Sequence, residues 1–79
     1  MEENDITFLI RGAIYSVYNS LGPGLLESSY EVAMEYELIN RGLFVERQVG
    51  LPLIYNNLKM EVGYRLDLLI ERKVIVEIK

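Results

Sequence analysis

The closing stretch of the chain, residues 64–79, constrains the fold more than any other segment. It reads Tyr64-Arg65-Leu66-Asp67-Leu68-Leu69-Ile70-Glu71-Arg72-Lys73-Val74-Ile75-Val76-Glu77-Ile78-Lys79. Two apolar runs flank a polar tripeptide, which is the pattern of two β-strands and a tight turn. In a strand, successive side chains point to opposite faces. Leu66, Leu68 and Ile70 therefore share one face, and Val74, Val76 and Ile78 share another. Burying both sets together requires Ile70 to oppose Val74 and Leu68 to oppose Val76. That register centres the turn on Arg72 and sets Asp67 opposite Glu77 on the reverse face. Lys79, two residues beyond Glu77, belongs to that reverse face as well.

Charges set inside apolar runs are costly unless they are paired or hold a metal. Two carboxylates facing each other across strands repel unless a cation lies between them. The chain contains no histidine and no cysteine. A Ser-His-Asp site, a histidine base and a thiolate metal site are thereby excluded, and any metal has oxygen ligands, which suits Mg²⁺ or Mn²⁺. A lysine beside such an ion can orient a water or stabilise developing phosphorane charge. Asp67, Glu77 and Lys79 together suit metal-assisted phosphodiester hydrolysis. The alternative is an ordinary surface face, with Glu77 and Lys79 paired along the strand and Asp67 solvated.

Upstream, the hydrophobic period is helical. Residues 5–21 read as a first helix with Asp5 as its N-cap, and Ile6, Leu9, Ile10, Ala13, Ile14, Val17 and Leu21 as its apolar stripe. Gly22-Pro23-Gly24 ends it. Residues 25–41 read as a second helix, with Leu26, Tyr30, Ala33, Met34 and Leu38 on one side and Glu31 and Glu35 facing solvent. Gly42 is the natural closing residue. From Leu43 the period changes to two. Residues 44–55 form a first strand with an irregularity near Gly50 and Pro52, placing it at an edge or giving it a bulge. Asn56-Asn57 is a turn, residues 58–70 a second strand, and residues 74–79 a third. The expected fold is α+β, two N-terminal helices packed on a three-stranded antiparallel meander.

At this point the motifs resemble a known family. Asp67 with Glu77-Ile78-Lys79 is similar to the D…(D/E)xK signature of the PD-(D/E)XK nuclease superfamily. Gly24-Leu25-Leu26-Glu27-Ser28-Ser29-Tyr30 resembles the motif of the small GxxExxY family within that nuclease-like group. Leu21-Gly22-Pro23 and the Tyr64-Arg65-Leu66 lead-in to Asp67 resemble it too, so the likeness covers essentially the whole chain. It implies that Asp67 and Glu77 bind Mg²⁺ and that Lys79 acts in catalysis. It also implies that Glu27, at the first turn of its helix, stands beside the metal. Gly24 and Tyr30 complete the supporting motif. Gly24 serves the backbone turn; Tyr30 either hydrogen-bonds Glu27 or a phosphate, or packs as a buried tyrosine.

The resemblance implies a restriction-endonuclease-like core, in which a further helix and strand follow the meander. The chain stops at Lys79. Residues 1–79 are accordingly expected to form a single, partial nuclease-like domain lacking that C-terminal helix and strand. Leu69 and Ile75 would then lack cover, and self-association through the exposed edge of the third strand follows, giving a homo-oligomer. The implied activity of the full-length protein is Mg²⁺-dependent hydrolysis of DNA rather than RNA, with this chain inactive as it stands. The competing expectation is a catalytically inactive nuclease-fold binding or assembly module. The net charge of −4 argues against strong non-specific nucleic-acid affinity. No apolar run approaches the ~20 residues of a membrane helix, no secretory signal is visible, and the lack of cysteine fits a cytoplasmic protein.

Overall fold

The computed structural model describes residues 1–78, including every side chain except those of residues 61–63. The element order is α1 (Glu3–Leu21), α2 (Glu27–Asn40), β1 (Val45–Tyr55), β2 (Leu58–Ile70) and β3 (Val74–Val76). The strands form one antiparallel sheet in the order β1-β2-β3. This is the expected α+β arrangement of two helices on a three-stranded meander.

In α1, Ile6, Ile10, Ala13 and Val17 recur at helical spacing and are buried, whereas Ile14 and Leu21 are exposed. The helix begins two residues earlier than expected. Asp5 is not its N-cap: Glu2 holds that position without a side-chain bond, and its carbonyl accepts the first helical bond, from Ile6 N–H at 3.0 Å. Glu3 and Asp5 lie in the first turn, where the helix dipole favours acids. Gly22, at φ +68°, ends the helix by donating its N–H to Tyr18 O.

Helix α2 also differs from expectation at its start. Leu25 and Leu26 lie outside it, and Leu26 is an exposed N-cap with extended geometry. Its end is closed as the sequence predicts. Gly42 takes φ +87° and donates to Ile39 O, while Leu43 donates to Leu38 O. This double closure satisfies two terminal carbonyls, and Leu43 and Leu38 are both buried in the same cluster.

The hairpin register is the expected one, Leu68 opposite Val76 and Ile70 opposite Val74. The turn is made by Glu71 and Arg72, both at positive φ, with Lys73 N–H donating to Ile70 O at 2.9 Å. The β1–β2 turn places Asn56 and Asn57 at positive φ, the geometry that matches strand twist. Strand β1 is an edge strand, and its pairing with β2 slips between Leu51 and Leu53, around Pro52. A second irregularity, absent from the sequence expectation, is Gln48 at φ +56°. A non-glycine residue there costs on the order of 1–3 kcal/mol.

Ile6, Ile10, Ala13 and Val17 of α1, Met34 and Leu38 of α2, Leu43, and Leu68 and Ile70 of β2 form the core, all on one face of the sheet. On the other face Leu69 is half-buried and Ile75 is 52% exposed. The third strand is shorter than expected: its ladder ends at Val76, and Glu77 and Ile78 continue without ladder pairs. The reason lies in the side chain of Asp67.

Candidate functional site

Leu66 and Leu68 are drawn into the core on either side of Asp67, so alternation turns Asp67 away from the helices. Its Oδ2 accepts the N–H of Ile78 at 2.7 Å. A side-chain oxygen thus takes a donor that a continuing ladder would give to a backbone carbonyl, and β3 separates from β2 there. The result is a fork with Asp67 on one arm and Glu77 on the other.

Glu77 is exposed, and its Oε1 accepts the hydroxyl proton of Tyr64 at 2.7 Å. That hydrogen bond, with desolvation and the charges of Glu77 and Asp67, raises the pKa of Tyr64 above the ordinary phenol value. The phenol therefore senses both carboxylates. Glu77 and Glu27 line one hollow of about 570 Å³, together with Val17, Tyr30, Val76 and Ile78. Glu27 is the first residue of α2. Asp67 does not line the hollow and joins it through the backbone of Ile78.

Tyr30 neither bonds Glu27 nor points to solvent. Its hydroxyl donates to Gly22 O at 2.7 Å and accepts the N–H of Leu25 at 3.1 Å. One side chain ties the loop between the helices to α2 and fixes the approach to Glu27. Gly24 sits in that loop at φ +97° with open space where a Cβ would point, so it serves the turn by its conformation. Lys79, expected to act in catalysis, lies outside the described residues.

The donors suit a hard divalent cation. Asp67 and Glu77 each commit one oxygen to a hydrogen bond from a described residue. Among the described residues no three of His, Cys, Asp or Glu gather closely enough to enclose an ion. Two carboxylates are a donor set that suits a divalent cation retaining several of its waters.

Sequence reasoning missed one polar cluster. Glu31, expected to face solvent, is only 9% exposed. Gln48 Nε2 donates to both of its oxygens, at 2.8 and 3.0 Å, and Arg47 Nε lies 3.5 Å away. Arg47 Nη1 also reaches Glu35 at 3.3 Å, and Glu35 is half-buried rather than solvent-facing. The signal was present: Glu31 stands three residues before Met34 and seven before Leu38, on the buried stripe of α2.

A family model described as the PD-(D/E)XK nuclease superfamily matches residues 4–79. No curated protein and no solved structure matches the chain. The match takes in both helices from Asn4 onward, all three strands and the fork with its two carboxylates, and on that evidence the chain belongs to the PD-(D/E)XK nuclease superfamily.

Proposed function

We propose that this protein is a nuclease of the metal-dependent type that hydrolyses phosphodiester bonds of DNA, with Mg²⁺ or Mn²⁺ held by Asp67 and Glu77. The observation that carries the reading is the fork: one carboxylate from β2 and one from the segment just after β3, each oriented through one oxygen by a hydrogen bond from a described residue. A bound divalent ion polarises the phosphate and lowers the pKa of its water. The chain's own residues do the rest. Ile78 N–H and Tyr64 O–H hold the two carboxylates in place, and Glu27 presents a third across the hollow. Lys79, two residues after Glu77 in sequence, is assigned to orient the attacking water and offset phosphorane charge. Membership of the GxxExxY group is part of this proposal and rests on Gly24, Glu27 and Tyr30.

The test is cleavage of DNA with and without Mg²⁺, paired with calorimetric titration of Mn²⁺. Asp67→Ala and Glu77→Ala are each expected to lower cleavage more than about 100-fold, beyond what loss of an outer-shell partner costs. Cleavage unchanged by both substitutions would refute the assigned site. The net charge of −4 favours a second reading, a nuclease-fold binding module without hydrolysis. A wild-type protein that takes up no Mn²⁺ at millimolar concentration selects that reading. As to partners, we place self-association at the outer edge of β3.

A further inference from the structure

We propose that Gln48 and Glu31 form a positioning pair that sets the first turn of α2, and with it Glu27, across the hollow from Glu77 of the fork. The inference rests on the reading of that fork as a metal site. Two consecutive residues of a regular strand point to opposite faces. Arg47 and Gln48 break this rule, since both reach Glu31 of α2. They do so because Gln48 adopts φ +56°, which turns its side chain from the Asp67 face to the helix face. By the β1–β2 register, Arg47 opposite Leu68 and Val49 opposite Leu66, Gln48 is the residue directly across from Asp67. The backbone irregularity therefore falls where the strand carrying Asp67 and the helix carrying Glu27 can be joined by one side chain.

The bond is of a kind that fixes position. Glu31 is almost fully buried, and the Gln48 amide nitrogen meets both carboxylate oxygens, so a swing of Gln48 leaves this buried carboxylate to the ion pair with Arg47 at 3.5 Å alone. Glu31 lies one turn after Glu27 on the same side of α2. A shift at Glu31 is carried directly to Glu27. The connection then runs from Glu27 through Glu31 and Gln48 to the backbone opposite Asp67, whose own carboxylate holds Ile78 beside Glu77. Gln48 and Glu31 touch no reacting atom in this scheme; they act through Glu27.

Gln48→Gly separates positioning from mere folding. Glycine accepts φ +56° without strain, which offsets part of the cost of losing the bonds to Glu31, so the variant is expected to stay folded. Its affinity for Mn²⁺, read by calorimetry, is expected to fall about 10-fold, the lower end for an outer-shell partner. In a Glu27→Ala background the same substitution is expected to change Mn²⁺ affinity by less than about 2-fold, because the residue through which it acts is gone. The exchange E31Q/Q48E keeps a carboxylate facing a carboxamide and is expected to recover most of the affinity lost in Q48E alone. Wild-type protein that binds Mn²⁺ and a folded Q48G that binds it equally well overturn the positioning role alone. An effect of Q48G that persists undiminished without Glu27 overturns it too. Wild-type protein that binds no Mn²⁺ overturns the metal-site reading and this inference with it.

Discussion

The Tyr64 hydroxyl is the most direct reporter of the fork. It donates to Glu77, and the hydrogen bond, the desolvation and the charges of Glu77 and Asp67 all favour the neutral phenol. Its folded pKa is thus above its unfolded one. The stabilisation from this contact is fully present below the ordinary phenol pKa and is lost as pH rises through the raised value. Phenolate absorbance, measured against Tyr64→Phe to isolate one tyrosine of six, is expected to show Tyr64 ionising late. Glu77→Gln is expected to move it back towards the ordinary value, and Mg²⁺ is expected to do the same by neutralising Glu77. A Tyr64 titration indifferent to both changes contradicts the geometry. Asp67 and Glu77 were legible in the sequence because the flanking apolar residues allow one register. For Glu31 only half was legible: its spacing to Met34 and Leu38 puts it on the buried stripe of α2, whereas its partner Gln48 lies 17 residues away with a backbone angle that no local pattern announces.

At the scale of elements, helix ends were legible and helix starts were not. Gly42 closes α2 because the left-handed geometry it needs favours glycine. Neither helix start uses a side-chain cap, Glu2 and Leu26 standing at the N-cap positions, so a search for capping residues settles on Asp5 in error. The end of β3 was misread for another reason: alternation reports which face a residue takes, and not whether a ladder bond forms. The α1–α2 loop carries a prediction of its own. Tyr30→Phe removes both hydroxyl bonds to the loop and is expected to destabilise the domain by about 1–3 kcal/mol in urea denaturation. Gly24→Ala, at φ +97° in open space, is expected to cost about 1 kcal/mol through conformation alone. Amide exchange at Leu25 distinguishes the two effects, since only Tyr30→Phe removes an acceptor from that N–H.

The described residues form a two-layer structure around one core cluster, and its margin is small. At ~0.05–0.15 kcal/mol per residue a domain of 79 residues has about 4–12 kcal/mol of stability. Leu68→Ala, deep in that core, is expected to cost about 2–5 kcal/mol and to leave a measurable unfolded fraction. The helices cover one sheet face, while Ile75 on the other is 52% exposed on a three-residue edge strand. An edge strand with unpaired backbone groups and an apolar outer side chain is a template for pairing with another chain. The opposite edge, β1, is guarded by Pro52 and the register slip beside it, so pairing between chains is expected at β3. Sedimentation velocity is therefore expected to show concentration-dependent association of the wild-type chain. Ile75→Lys places a charge on the edge strand and is expected to return the protein to a monomer with little change in melting temperature, because the side chain is half-exposed to begin with. A wild-type chain that sediments as a compact monomer at every concentration refutes the role of the edge. A wild-type oligomer that Ile75→Lys leaves intact moves the contact elsewhere, to the exposed apolar residues of the β1–β2 hairpin, Leu53, Ile54, Tyr55 and Leu58.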